Sequence, residues 1–426
     1  MTDLKNNTTS NDFYKHTITL PRGTLDLTYQ TNFSGASKNY ELEDLLGFAQ
    51  RINPKRAFLF VSKVLGRHIP VAPSTMRDAF TDLANLVPNN LPEPILVIGM
   101  AETAVGLSAG VHQALQTRYP NALLLNSTRH AQHGSDNNHA LLTTFREDHS
   151  HASQHLIYQS VDHVTQAQLL ASKTLIMVDD EASTGNTCVN VVTALRNAGL
   201  DQLQQVHLTT LVDWSLDQHQ GAADSDDAVS DQIAERLPNI EFQRHHLLSG
   251  AWTWTDAPNP EPITMPSVDT TEAGSHTLGD TGNWGRFPTL DSTNGFDNYL
   301  LRFQTVFNVF NKQAQFEKEQ LPQRILVLGS NEFVWLPFLL AEWLETQTQN
   351  STVNFSALTR SPIALGGAIT TMLSFSDNYG LGMTNFAYNV EPSDWDLIVL
   401  CVETSADSVD DMWKDLDNVL VVSPTL

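Results

Sequence analysis

The sequence predicts an α/β fold: a parallel sheet with flanking helices, followed by a second, smaller α/β domain. Three observations carry this. The apolar runs ILVIG (95–99) and TLIMVDD (174–180) have the length of buried strands, and each leads through small residues into a helical stretch, the alternation that builds parallel sheets. The same alternation restarts at RILVLG (324–329). Between the two series, residues 255–295 are crowded with Pro, Gly, Asp and Thr, the composition of a connector rather than a core.

Taken in order, the polar N-terminus reads as a disordered tail. The alternating HTITLPRGTLDLTY (16–29), with its glycine turn, predicts a hairpin. Residues 40–52 predict a short helix, and NPKRAFLFVSKVLGRHIP (53–70) an apolar strand or helix flanked by cations. After ILVIG follow a helix over 103–117 and the strand NALLLN (121–126). Residues 127–155 are polar and His-rich and read as one long loop. TLIMVDD precedes a helix over 187–198, ended by Gly199, and then the strand VHLTTLVDW (206–214). The second series runs helix 296–318, RILVLG, helix 333–346, NFSAL (354–358) and DLIVLCV (396–402). The expected division is a tail (1–15), a first domain (16–254), a linker (255–285) and a C-terminal domain (286–426), with GNWGRFP (282–288) expected to be ordered.

Composition narrows the function. Of 426 residues, 41 % are hydrophobic and 17 % charged, which is globular material too long for one ordinary core. Asp plus Glu total 48 against 24 Lys plus Arg, a net charge of −24. Such a field repels nucleic-acid phosphates and anionic membranes, so neither is an expected partner. Cys188 and Cys401 are the only cysteines, which supports no disulfide framework and no Cys-based zinc site. The N-terminus lacks the apolar run of a signal peptide, and no segment approaches the roughly 18–20 apolar residues that span a bilayer. A soluble, cytoplasmic protein is expected.

The two halves resemble each other. LVIGMAET and LVLGSNEF each lead into a helix, matching Gly99 with Gly329 and Glu102 with Glu332. The next strands end in Ser127-Thr128-Arg129 and Leu358-Thr359-Arg360, and TLIMVDDEAS aligns with DLIVLCVETS, so that Glu181 matches Glu403. Three anchors in one order point to a duplication. In this alignment Asp179 and Asp180 become Cys401 and Val402, and the following Thr-Gly is lost.

The segment LIMVDDEASTGNT carries the chemistry. Its strand holds a loop, Ala182 to Thr187, whose backbone N–H groups can face an anion at a helix start. Ser183, Thr184 and Thr187 add hydroxyls, and Gly185 permits an angle or approach that a Cβ would block. Asp179 and Asp180 can take the two hydroxyls of a ribose and hold Mg²⁺. The bland alternative is a helix with acids at its start. This strand end resembles the phosphoribosyl-pyrophosphate (PRPP) motif of type I phosphoribosyltransferases, departing from it at Glu181 and Asn186. With NPKRAFLFVSKVLGRHIP, GMAET (99–103), STR (127–129), FREDHSHASQH (145–155) and TRSP (359–362), the chain is similar from about residue 16 onward to one bacterial family. That family joins an orotate-phosphoribosyltransferase-like (PRTase_2) domain to a C-terminal TRSP domain, and its members are associated with tellurium-resistance-type gene clusters.

The resemblance implies a type I phosphoribosyltransferase-like fold and transfer of ribose 5-phosphate from PRPP to a nitrogenous base, with release of pyrophosphate. It implies Mg²⁺ as cofactor, with Asp179 and Asp180 as the catalytic and metal-holding pair, and Ala182, Ser183, Thr184, Gly185, Asn186 and Thr187 on the 5-phosphate. Ala101, Glu102 and Thr103 stand where the pyrophosphate loop belongs. Related enzymes often dimerise. Arg51, Lys55, Arg56, Lys63 and Arg67 form either a phosphate collector or a solvated face; Lys63 and Arg67, four apart, would share a helix face. Arg129 is expected either on pyrophosphate or in a salt bridge with Glu102 or Glu181. Arg146, His149 and His151 are expected in a lid that excludes water, in preference to a histidine metal site. Trp252 or Trp254 can stack on a base or simply fill the core. The second domain is expected to be a structural platform or to bind another substrate with Glu332, Arg360 and Ser361. The alternative function is a non-catalytic PRPP or nucleotide sensor; the absence of a helix-turn-helix pattern and the charge of −24 disfavour a nucleic-acid-binding regulator.

Overall fold

The computed structural model describes residues 13–32, 36–51, 56–129, 141–146, 154–215, 232–260, 262–263, 265–266, 276–314, 322–347 and 350–425. The N-terminal hairpin pairs β1 (Tyr14–Leu20) with β2 (Gly23–Thr31) antiparallel. Tyr14 and Lys15 therefore belong to a strand and not to the tail, whose residues 1–12 lie outside the described ones. The helix expected over 40–52 is a single turn, α1 (Leu42–Leu45), running directly into β3 (Leu46–Arg51). Its partner decides this: β4 (Phe58–Ser62), aromatic and β-branched, pairs with β3 antiparallel. Beyond Ser62 the chain runs in bends, so Lys63 and Arg67 do not share a helix face.

The α/β series follows. Helix α2 (Pro73–Asn85) opens on proline and buries Met76, Ala79, Phe80 and Leu83, the spacing of one helical face. Next come β5 (Ile95–Gly99), α3 (Val105–Leu115) and β6 (Leu123–Asn126). Within the stretch expected as a loop, β7 (Leu141–Arg146) and β8 (Gln154–Tyr158) form an antiparallel pair. After α4 (His163–Leu170) come β9 (Thr174–Ala182), α5 (Asn186–Asn197), β10 (Gln205–Asp213), α6 (Gln232–Arg236) and β11 (Glu241–Asp256). The sheet order is β1-β2-β11-β10-β9-β5-β6, with β11, β10, β9, β5 and β6 parallel. Residues 247–254 are part of β11 itself: its second half continues past β10 and pairs antiparallel with β2.

The second series contains α7 (Phe296–Ala314), β12 (Arg324–Ser330), α8 (Trp335–Gln347), β13 (Thr352–Leu358) and β14 (Ile363–Ala364). It continues with β15 (Met372–Ser376), β16 (Thr384–Tyr388), β17 (Leu397–Cys401), α9 (Asp411–Lys414) and β18 (Val419–Val422). The parallel order β13-β12-β17-β18 reproduces β6-β5-β9-β10. The register corrects the sequence alignment by one residue. Gly99 pairs with Val178 and Gly329 with Cys401, so Glu403 stands at the place of Asp180, not of Glu181. Apolar runs tolerate such a slip in alignment, whereas a hydrogen-bond ladder does not.

The two halves share a core. Helix α8 is apolar on all sides and buries Trp335, Leu336, Phe338, Leu340 and Leu344, as a helix enclosed on every face must. Phe338 meets Phe80 at 5.4 Å between ring centroids, and Arg77 donates to both carboxylate oxygens of Glu342 at 2.7 and 2.8 Å. Strand β14 adds to β3, pairing Ile363 with Arg51. The end of the expected linker is built into the fold: Trp284 is buried, and Gly285 accepts from the Asn126 N–H at 2.6 Å. Among the described residues no helix is long and apolar enough to cross a membrane.

Candidate active site at the ends of β5 and β9

Strands β5 and β6 run outward on one side of the sheet and β9 and β10 on the other, so the topological switch point falls between β5 and β9. Ligands of open parallel sheets bind beyond the carboxyl ends of the strands at such a point. There the turn after Gly99 faces Asp179 and Asp180, and Thr103 Oγ1 donates to Asp180 at 3.3 Å. The turn is held from behind: Ala101 N–H donates to Ser127 Oγ at 3.0 Å, and Ser127 Oγ meets His155 Nδ1 at 2.9 Å. These props join segments distant in sequence, so no local pattern announces them.

The three consecutive acids have different partners. Glu181 is taken by Arg56, which donates two bonds at 2.7 and 3.2 Å, and by Trp214 Nε1 at 3.2 Å. Asp179 accepts from the N–H of Asp180 at 3.0 Å. The carboxyl of Asp180 is pushed up to about 6 by burial and by the neighbouring charge of Glu181. Hard carboxylate oxygens with water and substrate phosphates suit Mg²⁺, and Asp179 and Asp180 are the members of the trio that fit it. Among the described residues no three metal-ligating side chains converge, so the ion would depend on substrate and water oxygens as well.

The loop after β9 has the form of an anion cradle. Gly185 adopts φ +67° and is the N-cap of α5 without a side-chain cap, leaving first-turn N–H groups available to an acceptor. A Cβ at Gly185 would collide with Ile233 of α6, so both backbone angle and close approach require glycine. Ser183, Thr184 and Thr187 surround this start, with Thr184 the most exposed. Arg236 donates to Asn186 Oδ1 at 2.8 Å, and Asn190 donates to the carbonyl of Arg146 at 3.0 Å, which fastens the β7–β8 hairpin to α5. His149 and His151, with the rest of 147–153, lie outside the described residues, as do Lys55 and 130–140.

The candidate cations separate. Lys63 turns away, donating to the carbonyl of Glu43 at 2.8 Å. Arg67 is 3 % exposed, pairs with Glu102, and donates to the carbonyl of Asn331 at 2.5 Å. Burial and the nearby Arg360 lower Arg67 to about 9, which leaves it charged at neutral pH. Glu102 also faces Arg360 at 3.6 Å, so its side chain holds guanidinium groups. The backbone N–H of Arg129 donates to Glu332, an acid of the second half, at 2.8 Å. Trp252 meets Phe58 edge-on at 4.9 Å, and Arg56 lies 5.8 Å from its centroid, so the ring already has protein neighbours. Arg56 and the aromatic group Phe58, Phe60 and Trp214 form the wall beside Glu181.

A profile described as phosphoribosyl transferase (PRTase_2) matches residues 45–244, and one described as the TRSP domain C-terminal to PRTase_2 matches residues 302–419. No curated protein matches the chain. Among solved structures it is similar to adenine phosphoribosyl transferase from Trypanosoma brucei, at 14 % identity and a TM-score of 0.30, covering 48 % of this chain and 76 % of that one. It is also similar to the enzymes from Giardia lamblia (12 %, TM-score 0.29, 48 % and 96 % covered) and Rhodothermus marinus (15 %, TM-score 0.29, 48 % and 95 % covered). The chain belongs to the PRTase_2 phosphoribosyl transferase family, with a TRSP domain C-terminal to the transferase domain.

Proposed function

We propose that this protein transfers ribose 5-phosphate from PRPP to a nitrogen of a base or base-like acceptor, releasing pyrophosphate. The observation that carries the reading is the acid pair Asp179–Asp180 at the switch point, between the turn 99–103 and the glycine-opened helix α5. In this reading the loop 182–187 receives the 5-phosphate through backbone N–H groups and hydroxyls. Asp179 and Asp180 orient the ribose hydroxyls. The turn at Ala101–Thr103, with Arg67 and Arg129 beside it, faces the pyrophosphate. Transfer through a cation-like sugar asks mainly for positioning and for positive charge on the leaving group. Mg²⁺ bound by the acid pair would supply part of that charge.

The β7–β8 hairpin, fastened to α5 through Asn190 and carrying Arg146, is the candidate cover that keeps water from the sugar. The sensor reading remains the competing one, because a pocket can bind PRPP without turning it over. The test is pyrophosphate release from PRPP with Mg²⁺ across purine, pyrimidine and pyridine bases, beside PRPP calorimetry. Base-dependent release is expected. Binding without release for every base would favour the sensor, and absence of binding would return the acid pair to a helix start.

A further inference from the structure

We infer that the TRSP domain completes the transferase site: Arg360 of its Thr-Arg-Ser-Pro segment joins Arg67 in holding the pyrophosphate group of PRPP. The inference rests on the transferase reading and adds to it a binding residue from the other domain.

The first ground is a reciprocal exchange between equivalent positions. Glu332, in the turn after β12, accepts from Thr128 Oγ1 at 2.5 Å and from the N–H of Arg129 at 2.8 Å, at the end of β6. Glu102, in the turn after β5, faces Arg360 at 3.6 Å, at the end of β13. Arg67 spans the two turns, bonding Asn331 O of one and Glu102 of the other. The halves thus meet through the ends of strands where such sheets bind ligands, and the second domain lies against the switch point of the first.

The second ground is charge. Arg67, Arg129 and Arg360 gather around Glu102 and Glu332. Counting Asp180, which also acts on Arg67, three guanidinium groups stand against three acids, a cationic concentration for a chain of net charge −24, and it lies beside the turn whose Thr103 reaches Asp180. Clustered guanidinium groups of this kind match the forked oxygens of a phosphate anion.

The third ground is that Arg360 is positioned yet chemically available. Its backbone is fixed from both sides. Thr359 exchanges bonds of 3.0 and 2.7 Å with Phe386, and Ile363 and Ala364 pair with β3 of the first domain. Its side chain, 11 % exposed, stands 3.6 Å from Glu102 and donates to the sulfur of Met383 at 3.6 Å. Thioether sulfur is a weak acceptor, and a guanidinium carries five donors.

The test uses the full chain with Mg²⁺ and two probes, PRPP and ribose 5-phosphate, followed by calorimetry. Arg360→Ala is expected to weaken PRPP about tenfold or more while leaving ribose 5-phosphate within about twofold, since only the former carries the pyrophosphate. Arg360→Lys, which keeps the charge without the planar fork, is expected in between; it serves as the test should the alanine variant not fold. Arg77→Ala breaks the contact with Glu342 across the same interface, away from the site, and is expected to leave the discrimination between the probes unchanged. An Arg360→Ala protein that binds PRPP like wild type, or loses both probes equally, overturns the inference, as does an Arg77→Ala protein that behaves like Arg360→Ala. Wild-type protein that binds neither probe removes the transferase reading itself, and this inference with it.

Discussion

The end of β9 and the end of β17 occupy equivalent places in equivalent sheets, yet the acids of one are half-buried and the acid of the other is fully buried. After β9, Asp180 accepts from Thr103 at 3.3 Å, its carboxyl is raised to about 6, and the chain turns at Gly185 into a helix over 186–197. After β17, Glu403 is fully buried and accepts from Arg286 at 2.6 Å and Tyr379 at 2.9 Å. There the chain passes through a 3-10 turn over 406–408 and the short α9 (Asp411–Lys414). A carboxylate with an internal cation and hydroxyl has little to gain from an external ion. One that burial and a neighbouring acid push up is held in a costly state that a cation relieves. The same strand order therefore supports a candidate site or a sealed core, depending on the loop and on local charge compensation.

This contrast can be broken experimentally, beginning with its largest expected consequence. Replacing Asp179 and Asp180 together by Asn makes the first strand end as ligand-poor as the second. The transferase is then expected to lose about 10³-fold or more in kcat/KM for PRPP, in the range of several kcal/mol supplied by a metal-held leaving group. Pyrophosphate release measures it, with circular dichroism unchanged; a residual rate close to wild type would falsify the role of the pair. Arg286→Ala tests the sealed end. It strands a buried Glu403 and should cost about 3 kcal/mol or more, seen as a lower denaturation midpoint and partly restored by Glu403→Gln.

A smaller effect is expected at Gly185→Ala. A left-handed angle costs an L-residue about 1–2 kcal/mol, and the new Cβ also meets Ile233. Ile233→Ala in the same chain should recover the contact part of this loss but not the backbone part. The mildest effect is on pH. Because Asp180 is raised from 3.8 to about 6, its stabilising contribution to the unliganded fold is complete below about pH 3.8 and lost as pH rises through about 6. Mg²⁺ binding has the opposite slope, since the ion needs the carboxylate. Its affinity should rise about tenfold from pH 5 to 7 and then level off. Asp180→Asn should flatten the part of this slope that belongs to Asp180, and calorimetry at several pH values would show whether it does.

Much of this was legible without coordinates. The runs ILVIG and TLIMV have the length and flanks of buried parallel strands, and LIMVDDEASTGNT announced a carboxylate pair before a helix opened by Gly185 because both are local in sequence. The misreadings have a common cause. Residues 40–52 carry apolar groups compatible with either periodicity, and only pairing with Phe58–Ser62 made Leu46–Arg51 a strand. Lys63 and Arg67 share a spacing, but β4 ends at Ser62, bends follow it, and Lys63 reaches the carbonyl of Glu43. Arg360 reads from the sequence as part of a structural platform or of a second substrate site, because its carboxylate partner Glu102 lies in the other half.

The sequence by itself determined the α/β alternation, the repeat and the loop that begins α5, all of which depend on residues adjacent in the chain or on a recurring pattern. Only the tertiary structure decided which charges would meet. Glu102 with Arg67 and Arg360, Glu332 with Thr128 and Arg129, and Glu403 with Arg286 are set by how the two sheets share a core through α8. The physical reason is that strand identity follows from local periodicity and side-chain shape. Ionic partnership depends instead on which strand ends the packing brings together, and on which of them it leaves in reach of water.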